Sequence, residues 1–218
     1  MPRPRVILAD DHTIVLEAFK KMLEASCEIV AAVTNGQALL EAAQRLKPDV
    51  IVADIAMPRL NGLDACEQLK AKIPNAGLIL ITANEDPDMA AEAIRRGASG
   101  YLLKKSASSE LFEAIQRVSN GHQFITPRVL REPPAVFIAR ARKAESAQQL
   151  TMRQREVLQL LAEGRSMKEA ADILHVAPRT IAFHKYGMME QLGVKTSAEL
   201  VQYAMRIGIV TRVTSPPA

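Results

Sequence analysis

Val50-Ile51-Val52-Ala53-Asp54 (VIVAD) is the stretch that decides the fold, because four apolar residues in a row are followed at once by a carboxylate. A run this short and this uniformly apolar is typical of a β-strand that is buried on both faces of a sheet. Similar runs occur at Val6–Ala9, Glu28–Val33, Leu78–Ile81 and Gly100–Leu103. Segments with apolar residues at helical spacing separate the runs, and this alternation predicts a parallel α/β sheet with helices on both faces.

Polar side chains stand directly after four of the five runs, where each predicted strand ends. They are Asp10, which is followed by Asp11, and then Asp54, Thr82 and Lys104. In open parallel sheets the carboxyl ends of the strands meet at one rim, where ligands bind. Three carboxylates there would repel one another unless a hard divalent cation held them, and oxygen ligands favour Mg²⁺. With a lysine and a hydroxyl beside them, they suit a transferring phosphoryl group, and a carboxylate can be the nucleophile.

Each of these side chains also has an ordinary structural explanation when it is taken alone. An acid after a strand often caps the next helix, and a lysine at that position is often a solvated charge. The combination at four separate strand ends is much harder to explain in that way. We therefore predict a phosphoryl-transfer site.

Composition and charge indicate two modules. The 218 residues are 48% hydrophobic, which is near the globular average and excludes disordered and collagen-like chains. Residues 1–125 hold 14 basic and 16 acidic side chains, whereas residues 126–218 hold 14 and 8. An acidic first part and a basic second part suggest different partners, and the basic part could contact phosphates. No apolar run is long enough for a membrane span, no signal peptide is evident, and two cysteines suit a reducing cytoplasm, so we expect a cytoplasmic protein.

The last 70 or so residues have a helical pattern. Capping-box patterns begin at Thr151, Ser166 and Thr196, each followed by apolar residues at helical spacing. Pro178 can open a further helix, because the first helical residue needs no N–H donor. A short turn at 175–177 separates the second and third of these helices, which predicts a helix-turn-helix arrangement.

The first 120 or so residues resemble the receiver domain of two-component response regulators. The resemblance is carried by Asp10-Asp11, Asp54-Ile55-Ala56-Met57-Pro58, Asn61-Gly62, Thr82-Ala83 and Tyr101-Leu102-Leu103-Lys104. It implies a flavodoxin-like, doubly wound sheet of five parallel strands in the order 2-1-3-4-5. It also implies that a sensor histidine kinase is the partner that supplies the phosphoryl group.

The same resemblance assigns roles at the rim. Asp54 would accept the phosphoryl group, and Lys104 would pair with its oxygens. Asp11, Asp54 and the backbone carbonyl of Ala56 would bind Mg²⁺ directly, with Asp10 acting largely through water. An aspartyl phosphatase resembling haloacid dehalogenases is the enzyme alternative. Those enzymes need a second acid two residues after the nucleophile, where this chain has Ala56, so we expect no enzyme beyond self-phosphorylation and self-dephosphorylation.

Two further residues would form the switch. Thr82 would move to hydrogen-bond the phosphoryl group, and Tyr101 would swing inward to fill the vacated space. Many receivers have proline after the lysine, whereas Lys105 follows here. The resemblance gives no role for Lys105.

Residues 149–210 resemble the LuxR-type DNA-binding domain of the NarL/FixJ class of regulators. The matching stretches begin at Leu150-Thr151, Lys168-Glu169, Thr180-Ile181 and Leu192-Gly193-Val194. The helix from Arg179 to Leu192 would enter the major groove of double-stranded DNA. The resemblance implies DNA contacts from Lys168, Arg179, Thr180, Ala182, Phe183, Lys185 and Tyr186, with Ala182, Phe183 and Tyr186 facing the bases.

We expect three parts: a receiver domain at 1–122, a linker at 123–148, and an all-α domain of four helices at 149–212. Phosphorylation of Asp54 would control dimerisation and sequence-specific DNA binding. A solvated linker is the simpler expectation for 123–148, and a segment that docks the domains at rest is the alternative. Gly187 inside the recognition helix, Glu190 and the uncapped Ala177 depart from the family pattern. They keep open an output domain that acts through protein contacts instead of DNA.

Overall fold

A computed structural model describes residues 3–143 and 150–210 of the chain. The chain divides into two compact units, Met1–Ala144 and Glu145–Ala218. Residues 144–149 of the expected linker and 211–212 of the expected DNA-binding domain lie outside the described residues. Within the described ranges, no helix is both long enough and apolar enough to cross a bilayer.

The first unit is built on a parallel sheet. Its strands are β1 (Arg5–Ala9), β2 (Glu28–Val33), β3 (Val50–Asp54), β4 (Gly77–Thr82), β5 (Gly100–Leu103) and β6 (Phe124–Ile125). They lie in the order β2-β1-β3-β4-β5-β6. β1, β3, β4 and β5 are almost wholly buried, as the apolar runs predict. The predicted fold class is confirmed, with one strand more than the five expected.

Helices cover both faces of the sheet. They are α1 (Thr13–Leu23), α2 (Gly36–Leu46), α3 (Gly62–Lys72), α4 (Pro87–Arg95) and α5 (Ala107–Ser119). α1 and α5 pack on one face around Leu16 and Leu111, whereas α2, α3 and α4 pack on the other around Leu39 and Leu63. The two apolar clusters therefore enclose the sheet and leave the carboxyl ends of its strands at one rim.

The expectation of a solvated linker from residue 123 is wrong for 123–143. Phe124 and Ile125 extend the sheet as β6, and helix α6 (Pro134–Lys143) packs against α4. Phe137 is 1% exposed and belongs to the same apolar cluster as α4. Pro133 and Pro134 stand at the start of α6, where proline is tolerated.

The second unit is helical, as predicted. It contains α7 (Met152–Ala162), α8 (Met167–Ile173), α9 (Pro178–Leu192) and α10 (Ser197–Arg206). Thr151 with Gln154 and Ser166 with Glu169 form complete capping boxes. At α10 the box is incomplete, because Glu199 accepts from the amide of Lys195 instead of that of Thr196. Ile181 and Met188 of α9 are fully buried in the core that the four helices share.

Candidate functional site

The rim of the first unit brings the predicted acids together. β1 and β3 are neighbours with Ala9 paired to Ala53, so Asp10 and Asp54 follow adjacent positions of the sheet. Both carboxylates are buried, at 2% and 5% exposure, whereas Asp11 beside them is exposed. A buried pair of carboxylates requires a compensating positive charge.

Lys104 supplies part of that charge from the end of β5. Its Nζ lies 2.8 Å from Oδ2 of Asp10 and 2.9 Å from Oδ2 of Asp54. Burial lowers the pKa of Lys104, but the two carboxylates raise it by more, so the pKa lies above its ordinary value. The lysine is therefore a fixed cation that bridges two strand ends.

One lysine does not fully stabilise the ionised form of Asp54. Burial raises the pKa of this carboxyl above its ordinary value, and the negative charge of Asp10 raises it further. Lys104 and the backbone amide of Ala56 act in the opposite direction without reversing the shift. A nucleophilic carboxylate must be ionised, so additional positive charge at the rim would favour the reactive form.

The donor set fits a hard divalent cation. Ligand atoms of Asp10, Asp11, His12 and Asp54 all lie within 4.8 Å of one another. Carboxylate oxygens dominate the cluster, and they are the ligands that Mg²⁺ prefers. Ala56, whose backbone carbonyl is the fourth predicted ligand, is half-buried two residues after Asp54. The rim can therefore hold Mg²⁺ through the predicted carboxylates.

His12 is a member of the cluster that sequence reasoning missed. Its Nδ1 lies 3.1 Å from Oδ1 of Asp10 and 2.8 Å from Oδ1 of Asp11, and its backbone amide donates to Asp10 at 2.9 Å. The side chain itself is 67% exposed. Its position directly after two strand-end acids was the signal that could have identified it.

The two predicted switch residues meet at Asn84 in the loop between β4 and α4. Thr82 is 7% exposed, and its Oγ1 accepts from the backbone amide of Asn84 at 3.1 Å. Tyr101 is fully buried, and its hydroxyl donates to the backbone carbonyl of Asn84 at 2.8 Å. The ring of Tyr101 therefore already points inward, and one loop residue contacts both side chains.

Lys105, whose role the family resemblance left open, binds the same loop. Its ammonium is paired with the carboxylate of Glu85. Arg128, just after β6, lies 3.4 Å from the other oxygen of Glu85. The β4–α4 loop is thus attached to the segments that follow β5 and β6.

In the second unit the predicted DNA contacts lie on α8 and α9. Phe183 is 75% exposed and Tyr186 59% exposed, which is unusual for large apolar side chains. Lys168 and Arg179 are also exposed, and the remaining three are half-buried: Thr180, Ala182 and Lys185. The Nζ of Lys185 lies 5.7 Å from the centre of the Tyr186 ring. α9 therefore presents two aromatic rings and cations on one side while its other side is buried.

An arginine of α7 joins this helix to the end of α8. Arg153 donates to the backbone carbonyl of Leu174 at the end of α8 and to Glu156 on its own helix, at 3.0 and 2.8 Å. Arg155 is 5% exposed and donates to the carbonyl of Leu150, just before α7, at 2.7 Å. The Arg153 bond therefore connects the turn before α9 to α7, and the Arg155 bond orders the entry to α7.

Family comparisons match both units. The family described as "Response regulator receiver domain" matches residues 6–116, which is about half of the chain. The family described as "Bacterial regulatory proteins, luxR family" matches residues 148–204. The two matches lie on the unit with the acidic rim and on the helical unit, respectively.

Curated relatives resemble the chain over nearly its whole length. The transcriptional regulatory protein MctR of Rhizobium johnstonii is 33% identical over 97% of this chain and 98% of its own. The transcriptional regulatory protein YdfI of Bacillus subtilis is 34% identical over 95% and 98%. The oxygen regulatory protein NreC of Staphylococcus aureus is 30% identical over 93% and 97%.

Solved structures of RcsB resemble the chain as well. The RcsB response regulator of Salmonella typhimurium is 27% identical with a TM-score of 0.66, over 95% of this chain and 99% of that one. RcsB of Salmonella enterica serovar Typhimurium, bound to promoter rprA in the presence of phosphomimetic BeF3-, is 27% identical with a TM-score of 0.62, over 92% and 98%.

Proposed function

The chain belongs to the two-component response regulators that combine a receiver domain with a LuxR-type DNA-binding domain, and on that premise we propose that Asp54 receives a phosphoryl group from a sensor histidine kinase and so controls DNA binding. The observation that carries the proposal is Lys104, whose ammonium bridges the buried carboxylates of Asp10 and Asp54 at 2.8 and 2.9 Å. Asp11 stands beside them and completes an acidic pocket.

The transfer is a displacement at phosphorus. A carboxylate oxygen of Asp54 attacks the phosphorus atom of a phosphohistidine, the P–N bond breaks, and the imidazole leaves with the electron pair. Lys104 then neutralises part of the charge on the phosphoryl oxygens. Mg²⁺, held by Asp11, Asp54 and the carbonyl of Ala56, would supply charge neutralisation for the transferring group. Asp10 would act at the metal mainly through water.

The phosphoryl group changes the charge and the hydrogen-bond partners next to the β4–α4 loop. It replaces the single charge of the Asp54 carboxylate with a group of roughly −1.5 to −2 charges, and its oxygens accept hydrogen bonds. The hydroxyl of Thr82 turns to donate to one of them, and Tyr101 keeps its inward position behind it. The two forms must differ by only a few kcal/mol for a kinase to shift the population.

DNA binding is assigned to α8 and α9 of the second unit. Arg179, Lys185, Lys168 and Thr180 contact phosphates, which orient the protein without selecting sequence. Ala182, Phe183 and Tyr186 face base edges in the major groove. One such helix reads few base pairs, so a homodimer formed after phosphorylation would bind two half-sites. The RcsB structure on promoter DNA with a phosphomimetic supports this assignment by its similarity.

Phosphorylation is tested by incubating the full chain with Mg²⁺ and a small phosphodonor such as acetyl phosphate. We expect a mass gain of one phosphoryl group in the wild type and in Asp172→Asn, an exposed acid of the second unit. Asp54→Asn should show no gain. Labelling of Asp54→Asn to the wild-type extent would contradict the assignment of the phosphoacceptor.

DNA binding is tested by gel shift against the DNA upstream of the chain's own gene. DNA affinity should rise after phosphorylation. It should fall steeply with added salt, because contacts to DNA phosphates release bound counterions and added salt opposes that release. A chain that accepts the phosphoryl group but binds no DNA in either state would favour the alternative, an output domain that acts through protein contacts.

A further inference from the structure

Helix α6 covers α4 in the first unit. α6 is anchored by Phe137 and Ala141, which are 1% and 2% exposed. Both side chains belong to the apolar cluster that contains Met89, Ala90 and Ala93 of α4. The opposite side of α6 is solvated, since Val136 is 52% exposed. One buried aromatic ring is thus the main anchor of a ten-residue helix that leads out of the first unit.

A chain of hydrogen bonds joins the phosphoacceptor rim to the start of α4. Oγ1 of Thr82 accepts from the amide of Asn84 at 3.1 Å, and Oδ1 of Asn84 accepts from the amide of Asp86 at 2.8 Å. Asp86 in turn caps α4 by accepting from the amide of Asp88 at 2.9 Å. Each bond spans two residues, so a change at Thr82 is passed directly to the first turn of α4.

The first turn of α4 and the start of α6 face each other across a cleft of about 350 Å³ that Asp86, Asp88, Arg131 and Phe137 help to line. Arg140 lies over the Phe137 ring at 5.6 Å and pairs with Glu132 at 2.8 Å. These polar contacts stay within α6 and the residues before it. The contact with α4 includes the apolar packing of Phe137 and Ala141, which is sensitive to small shifts of the helix.

We propose that α6 is a latch on α4 that phosphorylation of Asp54 releases. When the Thr82 hydroxyl turns towards the phosphoryl group, the Asn84 amide loses its acceptor and the relay to Asp86 is disturbed. The first turn of α4 shifts, Phe137 loses its packing against α4, and α6 detaches. This inference rests on the proposed function, because it uses the same phosphoryl group as the trigger.

The test is hydrogen exchange on the full chain, measured by mass spectrometry of peptides covering 134–143. Beryllofluoride with Mg²⁺ serves as the phosphoryl mimic. We expect exchange of α6 to accelerate by about tenfold when the mimic binds the wild type, in line with usual coupling between sites. Phe137→Ala should accelerate exchange by about a hundredfold without the mimic, because truncating a buried phenylalanine is costly.

Val136→Ala is the matched control, because it shortens a neighbouring side chain on the exposed side of the same helix. It should leave exchange of α6 and its response to the mimic unchanged. Asn84→Ala removes the side chain in the middle of the relay and should weaken the response while leaving Phe137 in place.

Two results would overturn the latch. One is exchange of α6 that does not change when the mimic binds, and the other is equal behaviour of Phe137→Ala and Val136→Ala. The wild-type measurement needs no variant, so it decides the matter even if Phe137→Ala folds poorly. The proposed function fails separately: a wild-type chain that gains no phosphoryl mass from acetyl phosphate would reject it, whereas a labelled chain with unchanged α6 rejects only the latch.

Discussion

Two glycines at α9 offer a test of backbone conformation in the DNA-binding unit. A Cβ added at Gly187 or at Gly193 would meet no atom within 4 Å, so neither substitution by alanine causes a clash. Gly187 lies inside the helix, whereas Gly193 caps it with φ at +67°. The same change of residue, in equal space, should therefore have opposite effects on stability.

The magnitudes follow from the two conformations. Inside a helix, alanine is favoured over glycine by ~1 kcal/mol, so Gly187→Ala should raise the free energy of unfolding of the second unit by about that amount. In the left-handed region an L-residue costs ~1–2 kcal/mol, so Gly193→Ala should lower it. At 25 °C, 1 kcal/mol corresponds to about a fivefold change in an unfolding equilibrium.

Native-state hydrogen exchange of the full chain measures both effects in the second unit alone. Peptides from α7 contain amides that exchange through opening of that unit, so their rates report its stability. Gly187→Ala should slow this exchange by about fivefold, and Gly193→Ala should accelerate it by about fivefold or more. Exchange rates of peptides from α1 and α5 in the first unit should not change.

An equal sign for the two substitutions would refute the reasoning. Destabilisation by Gly187→Ala would mean that α9 is not helical at that residue, or that an unseen neighbour crowds it. A gel shift on the stabilised Gly187→Ala variant then adds information about binding. Loss of DNA affinity in this variant would indicate that Gly187 is needed because the DNA approaches the backbone closely there, and not because of folding.

Three other predictions concern the rim, a buried thiol and the base-reading surface. Gly62→Ala should destabilise the first unit by ~1–3 kcal/mol in urea unfolding, because its Cβ would lie 2.3 Å from the backbone oxygen of Asp54; wild-type stability would contradict this. Burial raises the pKa of Cys66 to about 12, so at pH 8 the folded thiol should react with a disulfide reagent roughly a thousandfold more slowly than an exposed cysteine. Fast reaction without denaturant would show that it is accessible. Phe183, 75% exposed, should contact thymine methyl groups, so replacing thymine by uracil in a bound half-site should weaken the wild type about tenfold and leave Phe183→Ala unaffected; equal losses in both proteins would count against this contact.

The sequence could predict the rim because its geometry follows from topology. Any residue that ends or directly follows a parallel strand lies at the same edge of the sheet, so Asp10, Asp54, Thr82 and Lys104 share that edge whatever the loops do. The pattern of apolar runs was enough to place them. The helical unit was predictable for a similar reason, since caps and apolar spacing are local signals.

Elements that depend on tertiary contacts were not predictable. β6 has only two residues, too few for a periodic pattern, and it is a strand only because β5 offers free backbone groups to pair with. For α6 the sequence allowed a short helix at Val136–Arg142 but did not predict its packing, because two prolines and several basic residues are features of a linker. Its attachment depends on the packing of Phe137 against α4, and a single apolar residue in the sequence does not indicate which element it packs against. Asn84 was missed because loop geometry, which the sequence does not specify, brings it to the switch residues, whereas His12 could have been identified from its position after Asp10 and Asp11.

The charges at the rim explain why the pocket can act as a switch and not only as a binding site. The carboxylates of Asp10, Asp11 and Asp54 exceed the single ammonium of Lys104 by two charges, which is the charge of one divalent cation. A phosphoryl group of roughly −1.5 to −2 then replaces the charge of one carboxylate, so the rim gains roughly 0.5 to 1 negative charge that no resident side chain balances. Lys104 already contacts two carboxylates, so a shift of its ammonium towards the new oxygens would lengthen its contact with Asp10. The Thr82 oxygen already accepts from the amide of Asn84, and a move of this side chain towards the phosphoryl group would lengthen that bond. We therefore expect the added charge to shift the end of β5 and the β4–α4 loop, both of which adjoin α4.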